Sequence, residues 1–141
     1  MTKLPYKKRD AAIQQLETAI RLYHESNDPF SVITLAGAAE EILGQLVKAS
    51  GNTNSLEVLN STALAIQRLE GEEKPRDVID RANYARNNLK HLALPDDNFS
   101  IDAWEEATDM LTRATDNYWL LDDCPSPTIE NFLQQVRTPR S

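Results

Sequence analysis

The segment RNNLKH, residues 86–91, holds the side chains of this sequence that best suit acid–base chemistry on a phosphate group. Histidine exchanges a proton near neutral pH, so His91 could act as a general acid or base. Arginine is always charged and can bind two phosphate oxygens at once, as Arg86 could do. The amide of Asn87 could orient either group. We therefore predict that Arg86, Asn87 and His91 are catalytic residues, and that Lys90 and Asn83 contact the substrate.

These five residues lie on one helix, predicted over about residues 75–93. At about 100° per residue, Arg86 lies at the edge of the apolar stripe of this helix, and the other four residues occupy the polar arc beside it. Arg86 and His91 are then about 140° apart around the axis and about 7.5 Å apart along it. A second surface must therefore complete any site that uses both side chains. The alternative is a solvated helix face on which the stem of Arg86 covers apolar surface.

Two adjacent carboxylates lie on an earlier predicted helix, within the segment AAEEILG, residues 38–44. We expect either Glu40 or Glu41 to enter a polar cleft or to pair with Arg86, which would orient the arginine or form a buried ion pair, while the other is solvated. A di-iron bundle would require Glu-x-x-His pairs, and neither His24 nor His91 has a glutamate three residues before it. We predict no metal site and no cofactor.

The hydrophobic periodicity predicts helices throughout the chain. Apolar residues recur at spacings of three and four, as on the buried face of an amphipathic helix, and only four glycines are present. The predicted helices cover about residues 7–26, 29–49, 55–70, 75–93 and 100–121, with a short amphipathic piece over 128–136. The sequence thus predicts an all-α antiparallel bundle of four to five helices in one domain, 1–124. A short C-terminal helix and a polar tail follow in 125–141.

Small and aromatic residues give further packing predictions. Gly37 and Gly44 are seven residues apart and share one helix face. Because glycine in a helix costs about 1 kcal/mol relative to alanine, we interpret them as positions where another helix approaches closely. A close homodimer contact between helices is the alternative. The spacing also predicts that four aromatic residues belong to the core: Trp104, Tyr118, Trp119 and Phe132.

The composition restricts partners and location. A net charge of −7 argues against a protein that coats nucleic acid by bulk electrostatics, although it allows a local basic site. Residues 74–91 carry five Lys or Arg against two Asp. Cys124 is the only cysteine, which excludes an internal disulfide and a Cys-based zinc site. No apolar segment approaches the ~18–20 residues of a membrane span. We expect a cytoplasmic protein without a membrane contact.

The arrangement Arg86-Asn87-x3-His91 resembles the R-x4–6-H motif of the HEPN superfamily, in which Asn is one of the residues that typically follow the arginine. The position of the motif on a late helix and the overall helix count are also similar. The resemblance implies a small helical bundle, often dimeric. Many members are metal-independent ribonucleases of toxin–antitoxin and other defence systems, and in catalytic members the motifs of two protomers meet across the dimer cleft. Other members are non-catalytic binding or structural modules.

Two functions therefore stand as hypotheses. The first is a HEPN-like, metal-independent endoribonuclease or RNA-binding module that acts as a homodimer. The second is a non-catalytic helical adaptor, also homodimeric, whose groove binds a protein partner such as an antitoxin. Whether the chain is an enzyme is left open between them.

Overall fold

The computed structural model describes residues 2–70, 75–91, 97–121 and 126–136. Within these ranges it is helical with no strand, which confirms the all-α prediction. The seven helices are α1 (Lys8–Glu25), α2 (Pro29–Ala49), α3 (Ser55–Glu70), α4 (Pro75–Ala82), α5 (Tyr84–Lys90), α6 (Ala103–Trp119) and α7 (Pro127–Val136).

The helix predicted over residues 75–93 is interrupted. It divides at Asn83, whose φ of −103° and ψ of 6° depart from helical values, so that α4 and α5 are separate short helices. Hydrophobic periodicity could not reveal this break, because its cause is a contact of Asn83 with α6 that is described below. The end of the predicted helix, with Leu92 and Ala93, lies outside the described residues.

Helix α2 lies at the centre of the fold, packed mainly between α1 and α6. It begins at an Asp-Pro turn: the carboxylate of Asp28 accepts a hydrogen bond from the Ser31 backbone N–H at 3.0 Å, which caps the helix, and Pro29 takes the first helical position. Its apolar residues join those of α1 and α6 in one core. The fully buried aliphatic side chains of this core include Leu16, Ile33, Leu43 and Leu111.

The α7 helix packs on this core through Ile129 and Phe132, both completely buried, and contacts α1 and α6. At its start, Ser126 Oγ donates to Glu17 Oε2 on α1 at 2.9 Å, while the Ser126 backbone N–H donates to the Tyr118 hydroxyl at 2.9 Å. The short C-terminal helix is thus an integral part of the packed bundle. Cys124 and the polar tail, 137–141, lie outside the described residues.

The prediction that no segment approaches membrane-spanning length is wrong for α2. By length and composition, this helix of 21 residues is the one in the described ranges that could cross a membrane. Half of the most apolar 18-residue stretch of α2 is buried inside the fold. The helix also carries the buried carboxylate of Glu40. A core helix of a bundle meets the same criterion, since it is apolar around much of its circumference.

The aromatic core prediction is correct for Tyr118 and Phe132, which are buried, while Trp104 is partly buried against the core. It is wrong for Trp119, which is about half exposed at the end of α6. Tyr118 already occupies the core side of that last turn, so the adjacent residue, about 100° further around the helix, points outwards.

Candidate functional site

The face of α2 that receives Arg86 is built from residues at helical spacing. Gly37, Glu40 and Glu41 lie three and four residues apart and therefore share a face. The stem of Arg86 crosses α2 at Gly37, where a Cβ atom would lie 2.6 Å from Arg86 Cδ and 3.0 Å from Cγ. Only glycine leaves room for this arginine in its present position.

The second glycine of α2 has a similar role. A Cβ at Gly44 would lie 3.1 Å from Asn117 Nδ2 and 3.4 Å from Asn54 Nδ2. Both glycines thus admit side chains of the same chain, which confirms the interpretation of close packing. The alternative of a glycine-mediated homodimer contact is wrong, because both positions are buried within the bundle.

Glu40 is the centre of an ionic cluster. Its side chain is 4% exposed and contacts two arginines: Arg113 Nη2 at 3.1 Å from Oε1, and Arg86 Nη1 at 3.6 Å from Oε2. Glu41, whose side chain is 52% exposed, lies 3.8 Å from the same Arg86 nitrogen. Arg86 therefore pairs with both carboxylates, one buried and one solvated.

Arg113, on α6, is held by good hydrogen bonds at both terminal nitrogens. Nη1 donates to the Ala82 carbonyl oxygen at 2.9 Å, and Nη2 donates to Asn83 Oδ1 at 3.0 Å. These bonds satisfy groups at the break between α4 and α5 and explain why the helix divides there. Asn83 is buried by this contact, not exposed on the polar arc where the regular helix placed it. In this structure it positions Arg113.

Arg86 is less well satisfied than Arg113. A guanidinium has five N–H donors, yet in the described part of the chain Arg86 makes only the two ion pairs at 3.6 and 3.8 Å. Its Nε is buried with no hydrogen-bond partner. The Nε of Arg113 also lacks one, but both terminal nitrogens of Arg113 are used. With 14% of its side chain exposed, Arg86 keeps donors for a ligand that approaches from the surface.

The other predicted site residues of α5 remain at the surface. Asn87, Lys90 and His91 are exposed, and no hydrogen bond or ion pair joins them to the Arg86 side chain in the described structure. His91 follows the last residue of α5 as its C-cap, with an extended backbone (φ −130°, ψ 138°), and its N–H donates to the Asn87 carbonyl oxygen at 3.0 Å. Its side chain therefore no longer follows the helical period from which the separation of 140° was estimated.

Two residues of α6 complete the site and were not predicted from the sequence. Arg113 is the better partner of Glu40. Asn117, fully buried, donates from Nδ2 to the Glu40 carbonyl oxygen at 3.2 Å and accepts at Oδ1 from the Ser55 backbone N–H at 2.8 Å. In the sequence, both residues appear as polar positions next to the apolar stripe of α6. That position could indicate a buried polar contact, but it does not identify the partner residue on α2.

Among the residues that the structure describes, no three His, Cys, Asp or Glu side chains are grouped so that they could hold a metal ion. Comparison of the chain with protein-family models, with curated proteins and with solved structures gives no match.

Proposed function

We propose that the chain is a HEPN-like domain that binds RNA through α5 and cleaves it without a metal, as a cytoplasmic homodimer. The observation that carries the proposal is the difference between the two arginines on Glu40. Arg113 uses both terminal nitrogens, in two hydrogen bonds at 2.9 and 3.0 Å and an ion pair at 3.1 Å. Arg86 has only looser ion pairs and lies beside the exposed α5 residues.

The proposed roles follow from the chemistry of these side chains. Arg86 binds the non-bridging oxygens of the scissile phosphate, since arginine gives bidentate, charge-assisted hydrogen bonds to phosphate. Glu40 and Glu41 orient its guanidinium. Lys90 contacts a neighbouring phosphate as an exposed point charge, and Asn87 orients a phosphate oxygen or the imidazole.

His91 moves the protons in the proposed reaction. Attack of the ribose 2′-hydroxyl on the adjacent phosphorus releases the 5′ oxygen and leaves a cyclic phosphate. The 2′ proton must go to a base and the leaving oxygen must receive a proton, two tasks suited to imidazoles near neutral pH. A homodimer would supply two copies of His91 to one cleft, one for each proton transfer.

The test of cleavage uses the only two histidines of the chain. Purified protein is incubated with end-labelled single-stranded RNA in excess EDTA, and the products are separated by size. We expect cleavage by the wild type and by His24→Ala, a surface control on α1, and none by His91→Ala. Equal behaviour of the two variants, or intact RNA with all three proteins, would rule out the proposed nuclease.

A binding measurement separates RNA binding from cleavage. Arg86→Lys keeps the positive charge but removes bidentate hydrogen bonding, so we expect RNA affinity to fall about tenfold, or about 1.4 kcal/mol. Lys48→Ala, which removes an exposed charge from α2, should have a smaller effect. If neither the wild type nor His91→Ala cleaves RNA but both bind it with the same affinity, the chain is an RNA-binding module.

One observation favours the second candidate, a non-catalytic helical adaptor. Glu40 and Glu41 already balance the charges of Arg86 and Arg113, so the cluster is formally neutral and could be purely structural. Under this alternative, none of the variants above changes RNA binding, and the homodimer presents its surface to a protein partner such as an antitoxin.

A further inference from the structure

A groove between α3, α4 and α6 lies on the side of α6 that carries Arg113. It encloses about 630 Å³. Its apolar lining includes Val78, which is buried, together with Val58 and Leu59, whose exposed fractions are 52% and 39%. An enclosed small-molecule pocket would bury its apolar lining. Adjacent, half-exposed aliphatic residues at a groove rim are more typical of a surface that a larger partner covers.

A row of carboxylates forms one side of the same groove. Glu106, Asp109 and Asp116 line it from α6, at spacings of three and seven residues that keep them on one face. From the first to the last, the row runs about 15 Å along the helix, at 1.5 Å per residue. Arg81 and Arg113 also line the groove, but Arg113 is engaged with Glu40 at 3.1 Å. The charged lining thus comprises three carboxylates and two arginines, and one of these arginines is already paired with Glu40.

These carboxylates are incompletely compensated. Burial raises the pKa of all three, and the neighbouring Asp109 and Glu105 raise the pKa of Glu106 further. Arg113 lowers the pKa of Glu106 and Asp109, but not enough to reverse the shift. A positive charge placed in the groove would therefore interact favourably with carboxylates whose negative charge the described residues do not fully compensate.

We propose that this groove binds a basic amphipathic helix of a partner protein. The partner lays apolar residues on Val58, Leu59 and Val78, as helix-in-groove complexes do. Lys or Arg residues on the adjacent stripe of the partner pair with the carboxylates of α6. RNA is the wrong occupant for this surface, since its phosphates would face Glu106, Asp109 and Asp116. The groove is therefore separate from the surface proposed for RNA on α5, and its test is independent of nuclease activity.

The experiment uses the full chain and a designed peptide as the probe. The peptide has about 18 residues, roughly 27 Å of helix, with Leu on one stripe and Lys on the adjacent one, and its affinity is measured by fluorescence anisotropy. A second peptide carries Glu in place of every Lys. We expect the Lys peptide to bind at moderate ionic strength and the Glu peptide to show no binding.

Variants of the groove locate the binding. The double variant Glu106→Gln/Asp109→Asn should lower the affinity for the Lys peptide by about tenfold or more. The matched control is Asp10→Asn with Glu25→Gln, which removes two exposed carboxylates of α1, outside the groove, and should leave the affinity nearly unchanged.

The apolar contribution is tested by a separate double variant. The double variant Val58→Ser/Leu59→Ser should also lower the affinity for the Lys peptide, although it changes no charge. These residues are partly exposed, and circular dichroism checks that every variant keeps the helical content of the wild type.

Several outcomes would overturn the proposal. Equal losses in the groove variant and the α1 control would mean that binding is non-specific charge attraction. The groove would take only a small cation if the serine variant kept its affinity for the Lys peptide and spermine displaced the labelled peptide as effectively as unlabelled peptide does. A change of oligomeric state in the serine variant would make the groove a contact between copies of this chain.

Discussion

Replacing each arginine that contacts Glu40 with methionine should give very different losses of stability. Methionine keeps much of the apolar stem that an arginine packs against its neighbours, so the substitution chiefly removes the guanidinium. Arg113→Met removes the ion pair at 3.1 Å and two hydrogen bonds at 2.9 and 3.0 Å. Arg86→Met removes only the ion pairs at 3.6 and 3.8 Å.

The expected magnitudes follow from these contacts. Loss of one partner of a buried ion pair costs about 3–5 kcal/mol. After Arg113→Met, Glu40 keeps only the longer contact with Arg86 at 3.6 Å, and the Ala82 carbonyl and the Asn83 amide oxygen lose their donor. We expect it to destabilise the fold by about 4 kcal/mol, a large part of the roughly 5–15 kcal/mol available to a domain. Arg86→Met leaves Glu40 paired with Arg113 at 3.1 Å and removes only longer contacts, one of them to the half-exposed Glu41, so its cost should be about 1 kcal/mol.

The assay is equilibrium unfolding in urea, followed by circular dichroism at 222 nm, with the thermal midpoint as a second measurement. For a domain of this size, the midpoint should fall by about 3–4 °C per kcal/mol, so Arg113→Met should melt more than about 10 °C below the wild type. Similar losses for the two variants, or a larger loss for Arg86→Met, would contradict the difference between the two arginines. Arg86 would then be as structural as Arg113, and the basis for assigning it a ligand would be lost.

Three further predictions concern other parts of the fold. Gly37→Ala gains about 1 kcal/mol of helix propensity but places a Cβ 2.6 Å from Arg86 Cδ. Measured by urea unfolding, the substitution should therefore change the free energy of unfolding more favourably in an Arg86→Ala background than in the wild type. Equal changes in the two backgrounds would contradict the contact. Phe132→Ala should cost about 3–5 kcal/mol in the same assay if α7 belongs to the core, and a loss below about 1 kcal/mol would show that it does not. Asp116→Asn should stabilise the protein near pH 7. Partial burial raises the folded pKa of Asp116 above 3.8, so the unfolded chain ionises first. The cost of ionisation therefore builds up as the pH rises above about 3.8 and is complete above the folded pKa, and the gain from Asp116→Asn should disappear below about pH 3.8. A constant gain across this range would contradict the burial of Asp116.

Local sequence features were sufficient to predict most of the helices. Apolar residues at spacings of three and four placed α1, α2, α3 and α6 to within a few residues, because the period of an amphipathic helix is set by its own backbone geometry. The Asn-Asp-Pro turn before α2 was equally readable, since both the cap and the proline act on neighbouring residues.

The ion pair between α2 and α5 was partly predictable. Two glutamates beside an apolar stripe and an arginine at the edge of another suggested that a carboxylate of α2 meets Arg86, and the structure pairs Arg86 with both Glu40 and Glu41. The exposure of Asn87, Lys90 and His91 agrees with the polar arc. Their proposed work on RNA remains a prediction that the experiments above test.

The order of the residues alone is sufficient to predict an all-α chain and the course of its long helices. Only helix packing shows that α4 ends before Asn83, that Arg113 is the nearer of two arginines on Glu40, and that Arg86 has only two long ion pairs within the described residues. The physical reason is range: helical period and caps depend on residues within about one turn. The partner of a buried charge comes from any helix that packing brings against it, here Arg113 of α6 for Glu40 of α2, 73 positions apart in the printed numbering.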